Sequence, residues 1–243
     1  MTKKQTRPRE TCGSVPAAAT PPAVWVHAVT VCVPDEVPPQ ALTSRQLDEH
    51  FGVRGAFAPR FWARSGIRWQ RRQLIDARPG SPTRCAGGPV KLLDLAGLRH
   101  VAAVGAAIRH QQWSAVVHGT RPATPWPALQ QRHLEDPDRF PMDAAVRVFY
   151  DQPRVNAMRM HNAVAHGTGR LALGELEMYQ AGRLTYEYYT ASAVVAGDMI
   201  LAADGSRIAP DGDSLAHRIT YFEKANGYLE TVDGDRRRLA VTV

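Results

Sequence analysis

Lysine is scarce in this chain, contributing only four of its thirty basic residues, with arginine supplying the rest. Cysteine is scarcer still. Cys12, Cys32 and Cys85 are scattered without the paired C-x2-C spacing that structural zinc prefers, so neither a metal site nor a disulfide framework is expected. No apolar run approaches the roughly 18–20 residues needed to span a bilayer. The basic N-terminus lacks the apolar core of a signal peptide, so residues 1–22 read as a disordered arm and the compartment as cytoplasmic. A P-loop, a G-x-G-x-x-G turn after a strand and a G-x-S-x-G elbow are also missing, which leaves no cofactor to expect and nothing that compels an enzyme.

What the chain does have is arginine, unevenly spread. Residues 1–121 hold 17 Lys+Arg against 7 Asp+Glu, and residues 122–243 hold 13 against 16, a swing from +10 to −3. Guanidinium groups bind phosphate in a bidentate way and stack on bases. A GC-rich genome would account for the ratio of arginine to lysine, but not for its concentration in one half. The asymmetry points to a polyanion-facing half and a more neutral one.

The hydrophobic pattern predicts a mixed α+β chain. "AVWVHAVTVCV" (23–33) alternates and reads as a strand. A helix over 42–53 follows, with Thr43 or Ser44 as N-cap ahead of Leu47 and Phe51. Leu92, Leu95, Leu98, Val101 and Ala102 give residues 90–113 helical spacing, and 114–120 reads as a short strand. The proline-rich stretch after Arg121 suggests a boundary between a basic region (23–121) and a second region (144–243), either as separate units or as parts of one composite domain. The first would be ferredoxin-like or otherwise mixed, with a basic helical insertion. In the second, "AAVRVFY" reads as a strand and 152–166 as a helix with proline in its first turn. Six alternating runs (170–179, 183–189, 193–202, 216–223, 227–232 and 237–243), separated by turns such as "QAG", "ADGS" and "KANG", then predict an antiparallel β-meander.

Two constellations carry chemistry. Residues 54–73 interleave Arg54, Arg60, Arg64, Arg68, Arg71 and Arg72 with Phe57, Phe61, Trp62 and Trp69. Arginines that neutralise phosphates beside aromatic rings that stack bases are what a single-strand RNA or DNA surface requires. The bland alternative makes Phe57, Phe61 and Trp62 core anchors below a solvated charged face. A helix-turn-helix over 42–75 is a second alternative, although Pro59 falls where its second helix would begin.

The second constellation is "RMHNAVAHGTGR" (159–170). Its Gly167-Thr168-Gly169 turn would let a backbone approach a phosphate, with Arg159, His161, His166 and Arg170 around it. His161 and His166 are five apart, not four, which does not suit a shared metal on one helix face. They are also the candidate general bases if the protein cleaves RNA without a metal. Glu175 and Glu177 share one face of a predicted strand, where surface salt bridges explain them as well as acid–base work. "VVHGT" (116–120) is superficially similar to the strand on which ADP-ribosyltransferases hold NAD, which makes an NAD-using enzyme a further alternative, although no later residues are assigned as the tyrosine and glutamate such enzymes use.

The run 146–189, "VRVFYD…RMHNAVAHGTGRLALGELEMYQAGRLTYEYY", resembles a pattern in the RAMP proteins of CRISPR effector complexes. There a strand ending in an acidic residue precedes a "TG-x-A"-like turn, a strand, an "AG" turn and another strand. The matching residues are Asp151, Thr168, Gly169, Ala172, Ala181 and Gly182. The resemblance implies a guide-RNA-binding subunit, of backbone or processing type, that works with RNA and other protein subunits. The glycine-rich loop that many RAMP proteins carry before their last strand has no counterpart here.

Overall fold

A computed structural model describes residues 28–34, 42, 48–49 and 51–243. The expected arm, and most of the helix expected over 42–53, lie outside the described residues. The strands are β1 (Ala28–Val33), β2 (Ala56–Phe57), β3 (Phe61–Trp62), β4 (Arg84–Cys85), β5 (Gly87–Pro89), β6 (Met199–Leu201), β7 (Arg207–Ile208) and β8 (Arg237–Thr242). The α-helices are α1 (Leu95–Val116), α2 (Trp126–Glu135), α3 (Met142–Asp151), α4 (Pro153–Val164), α5 (Leu176–Gln180), α6 (Arg183–Ala196) and α7 (Leu215–Thr231). The fold is mixed α/β and predominantly helical.

β1 is a central strand, and its composition explains why. Val29, Val31 and Val33 fill one face of the sheet while Thr30 and Cys32 fill the other, and all five are buried. Thr30 is satisfied inside by donating its hydroxyl to Val195 O at 3.0 Å. The sheet runs β2-β8-β1-β6-β7, with β5 also paired to β8. β1 and β6 are parallel, Val29 lying opposite Met199, and the other pairs are antiparallel. Strands from the basic half and the neutral half of the sequence therefore share one sheet. A ferredoxin-like fold splits its βαβ unit with an intervening strand. Here the two parallel strands are immediate neighbours, so that order is not the one found.

The expected β-meander is mostly helix. In α7 the buried residues are Arg218, Tyr221, Phe222, Ala225 and Leu229, a helical stripe that runs straight through "KANG". Gly227 lies inside that helix with nothing near its would-be Cβ. In α6, Tyr186, Ser192, Val195 and Ala196 are buried at helical intervals, although the aromatic and β-branched run 184–190 also alternates. "AAVRVFY" is likewise in a helix, α3, which buries Ala145 and Phe149 four residues apart. Residues 114–116 finish α1 and 117–119 form a turn in place of the expected strand. In these segments packing of one face outweighed β propensity. The expectations do hold for β1, for a helix within 90–113, for α4 with Pro153 at its start and for β8. The "ADGS" turn joins β6 to β7, where Gly205 takes φ +83° and Ala202 N donates to Ser206 O.

Three buried clusters result. One fills the sheet face covered by α6 and α7, centred on Cys32, Phe61, Leu93, Ile200 and Phe222. A second covers the opposite face through Val29, Val31, Leu201, Leu239 and Val241. The third is the interior of the helical body, with Trp113, Phe149, Met158, Tyr179 and Tyr186. Helix α1 joins the first to the third, starting beside β3 and ending among the helices. Among the described residues no helix is long and apolar enough to cross a membrane.

Burial pushes the Cys85 thiol up to about 11 from an ordinary value of 9.0. Its folded value is raised, so the unfolded chain ionises first. Stability should be undiminished below pH 9 and should fall by up to about 2 kcal/mol as pH rises towards 11. Denaturant melts at pH 8 and 10.5 check this, with Cys85→Ala expected to shrink the difference but not remove it, because burial raises the Cys32 thiol and several tyrosine hydroxyls in the same direction.

Candidate nucleic-acid interface

Residues 58–94 fold back on themselves so that strand alternation sorts their side chains. Phe61 and Ala63 are buried, while Trp62 between them is half-buried and Arg64 is exposed. Arg64 N bonds Leu92 O, Asp94 N bonds Trp62 O, and Ala63 N bonds Thr83 O, so three backbone segments hold this strip. Gly66 turns the chain at φ +83°, and a 3-10 helix over Arg68–Gln73 follows, pinned at its end by buried Leu74. Between these elements lies an open cleft of about 490 Å³, lined among others by Trp62, Arg64, Gly66, Arg71, Thr83 and Asp94.

The cleft sits in a basic field. Arg64, Arg71, Arg72, Arg78 and Arg84 are exposed, and Arg84 lies opposite Trp62 across the β3–β4 pair. Arg78 is paired with Asp76 at 3.2 Å. Asp94 caps α1, its Oδ1 accepting from Gly97 N at 3.0 Å. Trp69, on the 3-10 helix beside Arg71 and Arg72, is 91 % exposed, more than any other large apolar side chain among the described residues.

Not every arginine expected to bind RNA is available. Arg60 donates to Thr30 Oγ1 at 2.5 Å and lies over the Phe61 ring at 5.4 Å. Burial lowers its pKa, against a smaller opposing pull from Asp198. It is half-buried and ties the start of β3 to β1. Phe61 is fully buried, the core anchor of the bland alternative. Arg54 is exposed and paired with Asp48 at 3.0 Å. Arg68 contributes its backbone to the 3-10 helix. No α-helix runs through 54–75, so the second helix of a helix-turn-helix is not formed.

The 159–170 turn belongs to the other end of α1. Asp94 and Gln112 are 18 residues apart on or beside that helix, about 27 Å at 1.5 Å per residue. There Gln112 Nε2 donates to Gly169 O at 2.9 Å, and His161 Nε2 lies 2.9 Å from the same carbonyl. Asn162 clamps Leu171 through both its N and its O at 2.7 Å. Arg170 reaches back to Ala165 O, and Arg159 lies over Tyr150 at 5.0 Å. Gly167 takes φ +55°, and Gly167, Thr168 and His166 are exposed on the turn. These bonds fasten the turn onto α1 and α4. The residues matching the RAMP pattern build helix–turn–helix connections: Asp151 ends α3, Thr168 and Gly169 lie in a 3-10 turn, and Ala181 and Gly182 join α5 to α6. His118 is in a turn after α1, without the strand that the NAD comparison needs.

Glu175 and Glu177 have interior duties. Glu175 Oε2 accepts from Tyr179 at 2.9 Å and Tyr186 at 2.8 Å, and Arg109 donates to the Tyr186 hydroxyl at 3.1 Å. Burial first, and the Glu175 charge second, raise the pKa of both phenols, so they remain donors. Glu177 accepts from Leu215 N at the start of α7. Sequence reasoning also missed structural arginines: half-buried Arg154 bonds Thr120 and Gln180 over Trp113, and Arg238 is 3 % exposed beside the end of α7. Nothing in their immediate sequence distinguishes them from surface arginines. No family model, curated protein or solved structure matches this chain.

Proposed function

We propose that the protein binds single-stranded RNA along the cleft between β3 and the 3-10 helix. One observation carries the reading: Trp69 stands almost wholly in water on the same 3-10 helix that contributes Arg71 to a cleft lined by Trp62, Arg64 and Arg71. An indole left in water forgoes roughly 1.5–3 kcal/mol of burial, which a stacked base would recover. Arginines around the rings supply the phosphate contacts, which are not sequence-specific. RNA is favoured over DNA because the same cleft presents Asp94 and the hydroxyls of Ser65 and Thr83. A carboxylate repels phosphate but accepts a hydrogen bond from a ribose 2′-hydroxyl. A guide-carrying role in a CRISPR-type complex is the narrower form of this proposal.

Fluorescence anisotropy with RNA, single-stranded DNA and duplex DNA of one sequence tests it. RNA is expected to bind tightest, with quenching of tryptophan emission. Preference for duplex DNA, or no binding at low salt, would overturn the reading. RNAs of uniform length co-purifying with the protein would support the guide-carrying form.

A further inference from the structure

A second cavity, of about 350 Å³, adjoins the cleft and shares Arg64 with it. Its lining includes Arg64, Arg99, Arg238, Glu230 and the first residues of α1, Leu95 and Ala96. Three arginines and one glutamate thus line it, a surplus of two positive charges. Each arginine is held in place. Arg238 donates to Leu229 O, Arg99 donates to Asn226 Oδ1 at 2.8 Å, and Asn226 is fixed in turn by Ser192 at 3.0 Å. Arg64 Nε bonds Leu93 O at 3.3 Å. The Nε atoms of Arg99 and Arg238 are buried and have no hydrogen-bond partner among the described residues. A buried N–H of a charged group without an acceptor is costly, and an anion would satisfy it. Burial lowers the Arg238 pKa and the neighbouring Arg99 charge lowers it further, although Cys32 pulls the other way. An anion between the two arginines would relieve that repulsion. The first residues of a 22-residue helix also border the cavity, although the Asp94 carboxylate already caps that end of the helix.

We infer that this cavity receives the terminal phosphate of the RNA strand lying in the cleft, an inference that rests on the RNA reading. Two features favour a strand end over an internal phosphate. A phosphate monoester carries roughly −2 at pH 7, matching the surplus charge, whereas a diester carries only one negative charge. Arg238 is also 3 % exposed, and an internal diester would have to carry a nucleotide on each side into the cavity to reach it. Arg64, as the shared wall, would contact both the end group and the next phosphate.

The test compares one single-stranded RNA made with hydroxyl ends, with a 5′-phosphate and with a 3′-phosphate, using the full chain. One phosphorylated form should bind at least about tenfold tighter than the hydroxyl form. Inorganic phosphate should erase that difference without weakening the hydroxyl strand to the same degree. Arg99→Gln should abolish the preference and leave the affinity of the hydroxyl strand within about twofold. Equal binding of all three strands would overturn the assignment of the cavity and leave the RNA reading standing, as would a preference that survives both inorganic phosphate and Arg99→Gln. Binding of no strand, with inorganic phosphate still raising the melting temperature of the wild type but not of Arg99→Gln, would overturn the RNA reading and reassign the cavity to a small phosphate monoester.

Discussion

Replacing Arg64, Arg71 and Arg72 together with alanine should weaken single-stranded RNA binding roughly 100-fold or more at about 0.1 M salt. It should also flatten the dependence of log K on log salt by about 2. Each phosphate contact on a single strand contributes about 0.7 to that slope, and three guanidinium groups would be lost from one rim. Trp69→Ala should behave differently. Loss of one base stack costs about 1–3 kcal/mol, a fall of roughly 5- to 150-fold, with the salt slope unchanged because no charge is removed. Neither change should lower thermal stability, since all four side chains are exposed. Arg159→Ala and Arg170→Ala, at the far end of α1, should leave affinity within about twofold. A salt titration of the four variants separates the two mechanisms. Affinity and slope that stay at wild-type values in the triple variant would remove the cleft from consideration.

The second large effect is on folding. A Cβ on Gly87 would stand 1.9 Å from Arg238 O and 2.9 Å from its carbonyl carbon, contacts with backbone that no rotamer change can relieve. Gly87→Ala should therefore push β5 away from β8 and disturb the bonds from Ala240 N to Ala86 O and from Ile75 N to Gly87 O. We expect a loss of about 3 kcal/mol, lowering the melting temperature by roughly 6–12 °C for a chain of this size. Gly227→Ala is the contrasting variant. It lies in the interior of α7 with open space around it, and alanine there should gain about 0.5–1 kcal/mol. A Gly87→Ala protein that melts with the wild type would contradict the close approach of the two strands.

Elements governed by one clear period were legible in the sequence. β1 alternates strictly, α1 repeats its leucines at helical spacing, and "ADGS" carries the turn chemistry between β6 and β7. The failures came where two periods coincide. "RLTYEYY" alternates well enough to read as a strand, yet Tyr186 and Tyr189 also begin the helical stripe that continues to Ser192 and Val195. Nothing local decides between them, because the deciding contacts come from α1 and α7. The candidate site was legible as a segment and not as a geometry. Treating 54–73 as helical hid the strand alternation that sends Phe61 inward and Trp62 outward. Arginine composition could not separate Arg71, in water, from Arg60, which bonds to Thr30 inside the fold. The cavity of Arg64, Arg99 and Arg238 gathers residues from three distant segments, and no motif could announce it.

The parallel pairing of β1 with β6 also has a kinetic meaning. Ala28 N is bonded to Asp198, 170 positions along the chain. During synthesis at about 5–20 residues per second, β1 leaves the ribosome many seconds before either strand that will flank it. The helical body, built from contacts much closer in sequence, can form in that interval, whereas the sheet must close a very long loop. The main sheet is then the last part of the molecule to mature, closing only once β8 has been made, whereas the cleft is lined by residues 62–94 and its β3–β4 pair lies outside that sheet.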